Sequence, residues 1–567
     1  MFIVFEGIDG SGKTTVSNRV AGQLRALGLT VEHLREGGKF SSPVTQAIRE
    51  FGRDARNLDL TPQAEFFLYV TRDVQLLDEA TRPALARADV VIADRFLYSA
   101  EIIARFGRGL PEAWLRPVLD AAARGLSPDL VILVDVDPTL ARARRKVAKL
   151  LAADRRPPSR KGLAGVGMQH RFRAGYLQLA AADPDRWVVV DNDQELDATV
   201  AQVFAVLGAA VREGVPAAVA LARQQTPRSA AAPAPIASVE AALALFLAAI
   251  DRRALAEPNV AAYLLGGLFG PGVDERRLAL AERAADPLVA GLEGLVDPVS
   301  WQIRDLLAAR TPALVARSLG QPAHVHARAA PLRAALVAAA PTEVLGSLDG
   351  VDSDEAWQLR ERLLASAPDV VVASLAGIDS ERAWRMREGW LAALGGEAAI
   401  AVGPYENARA LCRAVTGIDS ERAWELRKAA RPAAPIAAIS SLKLLGSDRA
   451  WKWRARDLHR APKAVLETIV GVDDPRAWQL REQTAPTVKE AIDSLYGLDA
   501  DTAWRLREAC VDLWPSTVIK SLGALSGTAR GQALVARQLQ RHPGNLSLLK
   551  HAAAIAVGAN LQPMTPE

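Results

Sequence analysis

The chain has 567 residues, half of them hydrophobic, with 69 Lys and Arg against 65 Asp and Glu and a formal net charge of +4. That length exceeds one comfortable core, so two or more domains are expected, and so small a charge surplus demands neither nucleic acid nor membrane as partner. Two cysteines, Cys412 and Cys510, and seven scattered histidines form no disulfide framework and no metal-ligand spacing. Apolar runs such as residues 241–250 are too short to span a bilayer. The chain enters its first strand at once, so no cleaved signal peptide and a cytoplasmic protein are expected.

Residues 2–5 read as a strand, followed by Gly7-Ile-Asp-Gly-Ser-Gly-Lys-Thr14, a complete G-x-x-x-x-G-K-[ST] loop that opens a helix near Thr15. A strand ending in a glycine-rich turn before a helix aims backbone N–H groups, and the positive end of the helix dipole, at one small volume. Gly7, Gly10 and Gly12 let the backbone close around phosphate oxygens. Asp9, Ser11 and Thr15 complete the loop, Lys13 reaches the β- and γ-phosphates, and the Thr14 hydroxyl serves Mg²⁺. This end of the chain is expected to bind a nucleoside triphosphate.

Further β-branched runs follow at residues 30–34, 90–93, 130–136 and 187–190, with longer amphipathic stretches between them. Buried strands alternating with helices predict an α/β domain over residues 1–212, a parallel sheet with helices on both faces. Residues 142–161 hold Arg142, Arg144, Arg145, Lys146, Lys149, Arg155, Arg156, Arg160 and Lys161 against the single acid Asp154. Residues 213–238 turn Ala/Pro/Gln-rich, a composition that suits a linker.

Beyond it the strands stop and a repeat begins. Ala356-Trp-Gln-Leu-Arg360 recurs as Ala383-Trp-Arg-Met-Arg387, Ala423-Trp-Glu-Leu-Arg427, Ala450-Trp-Lys-Trp-Arg454, Ala477-Trp-Gln-Leu-Arg481 and Ala503-Trp-Arg-Leu-Arg507, with Ser300-Trp-Gln-Ile-Arg304 as an earlier relative. The period is 27 or 26 residues, except for a 40-residue gap from Trp384 to Trp424 that places an insertion near Gly403-Pro404-Tyr405. Asp352 is read as the N-cap of a first helix with Glu355 as its capping-box partner, a layout repeated from Asp379 and Asp419 with arginine in the partner position. Pro312, Pro368, Pro435, Pro462 and Pro515, eleven residues after a tryptophan, mark the first turn of a second helix. Such pairs bury a core only when stacked, so an all-α solenoid of roughly nine units, degenerate at both ends, is expected over 239–560. The tryptophans are its core, and each following arginine is expected to pair with a neighbouring unit's aspartate.

The segment Phe5-Glu-Gly-Ile-Asp-Gly-Ser-Gly-Lys-Thr-Thr15 resembles the thymidylate kinase family, nucleoside monophosphate kinases of the P-loop class. The resemblance continues through Arg35-Glu-Gly-Gly38, Ala64-Glu65, Pro83-Ala-Leu85, Val91-Ile-Ala-Asp94-Arg95-Phe96 with Ser99, Gly107-Arg108-Gly109, Val134-Asp-Val-Asp-Pro138 and Phe172-Arg-Ala-Gly-Tyr-Leu177. It covers residues 1–207 and none of the repeats. It implies transfer of the ATP γ-phosphate to dTMP with Mg²⁺. Lys13, Arg95 and a lid arginine, for which Arg155 is chosen, would act on the transferred group, and Asp94 would join Thr14 at the metal. Asp9, Tyr69, Arg72, Arg95, Ser99 and Arg108 would face the acceptor, and a homodimer through this domain is compatible with the resemblance.

The departures concern the base. The family's Ser/Thr and Gln after the Asp-Arg pair fall at Ala100 and Ala104; its arginine four residues after the stacking aromatic Tyr69 falls at Asp73, with Arg72 one place early. One place is about 100° around a helix. A site built to hydrogen-bond a base loses specificity steeply without those groups. Two other readings therefore stay open: a nucleotide-binding regulatory or scaffold protein whose solenoid engages a protein partner, and a kinase with a different acceptor.

Overall fold

The apolar runs assemble into one parallel sheet of β1 (Phe2–Glu6), β2 (Val31–Arg35), β3 (Val90–Asp94), β4 (Leu130–Asp135) and β5 (Trp187–Asp191), ordered β2-β3-β1-β4-β5. Each lies within a residue or two of its expected place. The computed structural model describes residues 1–35, 42–54, 56–152, 167–225, 234–485 and 487–559. They divide into two compact units, Met1–Arg145 with Ser159–Pro233, and Ala234–Glu567 with Lys146–Pro158. Among the described residues no helix is long and apolar enough to cross a membrane.

In the first unit Ile3 and Phe5 of β1 share one core with Val16, Val20 and Leu24 of the helix Lys13–Ala26 and with Val200, Val203 and Leu207 of the helix Leu196–Glu213. β1 is buried along its whole length, as parallel strands covered on both faces are. Phe5 stands opposite Asp94 in the ladder, so the residues following β1 and β3 emerge side by side at the carboxyl edge of the sheet. Open α/β sheets bind their ligands at that edge.

The expected linker at 213–238 is partly helix. At Gly214, with φ 93°, the chain turns into the helix Val215–Gln225, whose Ala218, Val219 and Ala222 are buried in the core of β1. Closely packed helices and flexible linkers are both rich in alanine, and here the spacing of the small residues wins over composition. Residues 226–233 lie outside the described residues.

The described part of the second unit is helical. Tryptophan-bearing helices such as Asp354–Leu363, Glu421–Ala430 and Asp448–Asp457 alternate with short helices that open on the expected prolines, Pro312–Arg317, Pro368–Ala373, Pro435–Ser440, Pro462–Glu467 and Pro515–Leu522. The insertion is the helix Glu397–Val402; Tyr405–Ala414 then takes the second helix's place, because Arg387 reaches the carbonyl of Ala414 at 2.9 Å. The array closes on itself. Its first helix, Val239–Ala256, packs along its last, Leu546–Ala556, and Lys550 Nζ donates to the carbonyl of Gly266 at 2.8 Å.

Two readings of the repeat are corrected. The N-caps are Ser353, Ser380 and Ser420, whose hydroxyl oxygens accept the N–H three residues on. Asp352, Asp379 and Asp419 sit one place earlier and accept the indole N–H of Trp357, Trp384 and Trp424 at 2.5, 2.6 and 2.7 Å. Glu355 pairs with Arg333 at 3.4 Å and closes no capping box. The arginine after each tryptophan does not seek an aspartate either. Arg304, Arg360, Arg387, Arg427, Arg454, Arg481 and Arg507 are buried.

Arg427 is representative: it donates to the carbonyls of Val415 (2.5 Å), Ile418 (2.8 Å) and Ser441 (3.4 Å) and to Ser441 Oγ (3.0 Å). Each of the seven guanidiniums lies 4.5–5.0 Å from the ring centroid of its own tryptophan. Carbonyls at helix C-termini carry the negative end of the helix dipole, so they stabilise a buried cation without a carboxylate. Burial still pulls these arginines down to about 10.

Arg427→Met strands those carbonyls, at about 1–3 kcal/mol each, and is expected to destabilise the second unit in urea unfolding followed by tryptophan fluorescence. Arg449, over the outer side of Trp424 at 4.7 Å and paired with exposed Glu421, is a surface contact. Arg449→Ala should cost no more than about 1 kcal/mol.

Candidate active site

The loop after β1 is shaped by what surrounds it. Gly10 and Gly12 both have φ 90°, and a Cβ on them would stand 2.2 Å from the Ala141 carbonyl oxygen and 2.4 Å from Asn192 Nδ2. No other residue fits. Gly12 is the N-cap of the helix Lys13–Ala26, so the first N–H groups of that helix face the loop. The Lys13 side chain is buried against the Ile8 carbonyl at 3.4 Å. Burial, and secondarily Arg95, pulls its ammonium down to about 8. Thr15 is exposed at the helix start.

Thr14 Oγ1 donates to Asp94 Oδ2 at 2.5 Å, which joins the loop to the end of β3. The other oxygen of Asp94 is buried and meets no hydrogen-bond donor. The Ser11 hydroxyl, inside the loop, is likewise buried without a partner. A glycine cradle joined through Thr14 to a carboxylate that keeps one oxygen unpartnered fits phosphate and a divalent cation.

Arg95 follows with φ 87°, a left-handed backbone unusual for a side-chain-bearing residue. Its guanidinium donates to Asp9 Oδ1 (2.6 Å), Ser99 Oγ (2.8 Å), Tyr176 OH (3.2 Å) and the Gly7 carbonyl (3.3 Å). Behind it lies Glu6, fully buried, 3.7 Å away, accepting from Phe96 N–H (3.0 Å), Ser99 Oγ (2.9 Å) and Tyr176 OH (2.8 Å). Burial pushes the Glu6 carboxyl up, against Arg95 and these donors. Asp9, Arg95, Ser99 and Tyr176 line one small cavity with Gly7 and Phe172.

Of the residues expected to face the base, Tyr69 and Arg72 line a second hollow, together with Arg49, Glu65 and Leu68. Arg108 grips buried Glu65 with two hydrogen bonds of 2.6 and 3.2 Å. Arg72 lies 5.2 Å from the Tyr69 ring centroid and pairs with Asp73 at 2.5 Å, so the two residues that replace the family's arginine bind each other. Ala100 and Ala104 are buried in an apolar cluster with Phe66, Val70 and Leu97.

The basic stretch begins on the helix Pro138–Leu151, directly against the loop: Arg145 Cγ would stand 2.9 Å from a Cβ on Gly10, and Arg144 donates to the Asn192 carbonyl at 3.0 Å. Arg155, chosen for the transferred group, lies outside the described residues, as do Arg156, Arg160, Lys161 and Glu36-Gly-Gly38. Sequence reasoning gave no role to Glu6, Tyr176 or Asn192. The first two sit inside quoted motifs, while Asn192 is marked only by following a strand.

A family model described as thymidylate kinase matches residues 5–203, ending before the repeats. The thymidylate kinase of Solidesulfovibrio magneticus is 36% identical over 209 residues, 37% of this chain and 99% of that protein. That of Trichlorobacter lovleyi is 38% identical over 193 residues, 34% of this chain and 89% of its own. The solved thymidylate kinase from Ehrlichia chaffeensis aligns over 37% of this chain and 98% of its own, at 23% identity and a TM-score of 0.28. A relative matched over nearly its whole length at such identity decides the question of kinship: this chain belongs to the thymidylate kinase family.

Proposed function

We propose that the first unit transfers the γ-phosphate of ATP to dTMP, giving dTDP, and that the closed helical array binds a protein partner. The kinase reading is carried by one observation: the register of β1 and β3 brings the glycine loop with Lys13 and Thr14 against Asp94 and Arg95. Phosphoryl transfer needs positioning and positive charge more than covalent chemistry. The loop N–H groups and Lys13 take the charge of the donor's phosphates. The Thr14 hydroxyl and Asp94 would hold Mg²⁺, which would supply further positive charge to those oxygens. Arg95, held in place by Ser99, Tyr176 and the Gly7 carbonyl, offers its guanidinium to the acceptor's phosphate, and Asp9 faces the acceptor sugar. Tyr69 keeps a stacking face for the base. The hydroxyl and amide expected to read its edge are replaced by buried alanines, which favours a second reading in which the acceptor is discriminated weakly or differs. The fixed residues of the array serve its own caps and core, which supports a scaffold role separable from the chemistry.

Lys13 gives the pH test. Contact with phosphate returns its ammonium toward the usual lysine value, so ATP binding should take up about one proton near pH 9. Affinity should fall as pH rises through about 8. Calorimetry in two buffers of different ionisation enthalpy measures the uptake. Lys13→Met should abolish it and lower kcat/KM by at least about 100-fold.

Among dTMP, dUMP, dCMP and dGMP, dTMP is expected to have the highest kcat/KM, but by no more than about tenfold over dUMP. A preference for the purine would overturn the assignment of acceptor.

A chain ending at Gln225 should fold and keep turnover within about threefold, because it retains a complete core. One ending at Arg212 loses Ala218, Val219 and Ala222 from that core and should melt at lower temperature. Loss of activity by the folded 1–225 chain, restored by adding the repeats, would make the array part of the enzyme.

A further inference from the structure

Asn192, directly after β5, is 2% exposed and spends every polar atom on the phosphate loop and its surroundings. Its Nδ2 donates to the Ser11 carbonyl at 2.6 Å, and its Oδ1 accepts from the Thr199 hydroxyl at 2.8 Å, which fixes the orientation of the amide. Its backbone N–H donates to the Asp135 carbonyl at 2.8 Å, and its carbonyl accepts from Arg144 at 3.0 Å. Five separated stretches of chain meet at this one residue.

The bond to Ser11 bears on nucleotide binding through the geometry of the peptide. In a trans peptide the C=O of Ser11 and the N–H of Gly12 point in opposite directions. Gly12 carries no Cβ and sits at φ 90°, so rotating that peptide meets little steric resistance. Ser11 N–H is already committed to the Ile8 carbonyl at 3.1 Å. A donor placed on the Ser11 oxygen from behind the loop therefore decides which way the Gly12 N–H faces. Asn192 Nδ2 lies 2.4 Å from the Cβ position of Gly12. Through its carbonyl the same residue also orients Arg144 of the basic helix.

We infer that Asn192 is a positioning residue for the donor nucleotide: its side-chain amide locks the Ser11–Gly12 peptide with Gly12 N–H turned toward the phosphates. This rests on the reading of the loop as an ATP site. Asn192→Ala removes the donor, and Asn192→Asp keeps the shape while setting an oxygen against the Ser11 carbonyl. In the full-length chain both should raise KM for Mg·ATP about tenfold or more, the worth of one phosphate-directed hydrogen bond, with KM for dTMP changed less than about threefold. Thr199→Val, which only frees the amide to turn, should raise KM for Mg·ATP by about two- to threefold. The same three chains are titrated with Mg·ADP, so binding is read without turnover.

A residue that merely packs would lower the melting temperature and the active fraction while leaving KM for Mg·ATP and the ADP affinity unchanged; that result overturns the inference. A rise confined to Asn192→Asp would trace to the added charge and overturns it as well. Should Asn192→Ala not fold, the isosteric Asn192→Asp and the milder Thr199→Val decide together, both needing the shift in nucleotide affinity. If the unaltered chain neither binds Mg·ADP nor forms ADP with any monophosphate, the ATP-site reading itself is what fails.

Discussion

The carboxylate of Glu6 is the constraint around which the first unit's mouth is built. It ends β1 with no exposed surface, and a carboxylate taken out of water must collect donors or lose its charge. The donors it collects belong to three elements: the N–H of Phe96 after β3, the hydroxyl of Ser99 in the helix that follows, and the hydroxyl of Tyr176 in the helix Gly167–Ala182. Those bonds fix where Arg95 can lie. The strained backbone of Arg95 persists because its neighbours over-determine it, as strained residues at functional sites require.

The second unit solves a related problem differently. Its buried guanidiniums meet main-chain carbonyls at helix ends, groups that cannot leave without unfolding the helices. Arg95 instead binds a carboxylate, that of Asp9, whose side chain is 31% exposed, together with two hydroxyls and the Gly7 carbonyl. A buried arginine whose acceptors are backbone is part of a scaffold. One held in part by a side-chain carboxylate at the mouth of a cavity keeps an acceptor that can move without unfolding a helix.

What the sequence made legible follows the reach of the interaction. Strands were readable as β-branched runs, the phosphate loop as a local string, and the second helices from prolines at fixed distance. Glu6, Tyr176 and Asn192 act across 90, 170 and 181 residues, and no local pattern announces such pairs. Asp352 was misread because two capping residues stand in succession, Asp352 and Ser353, and only packing shows that the first serves the indole of Trp357. The helix Val215–Gln225 was misread because alanine content was weighed above its periodicity.

Closure of the array explains why its sequence degenerates where it does. In an open stack the terminal units expose apolar faces and need polar caps. Here the 18-residue helix Val239–Ala256 lies on the 11-residue helix Leu546–Ala556, and each covers the other's apolar face. The tryptophan motif is absent from both, because its indole and guanidinium serve the regular 27-residue step between like units, and the junction is a different step. Lys550 bonding to Gly266, and Gly270 packed near Val557, are the contacts of that junction. The irregular ends that read as decay of the repeat are the parts that join it.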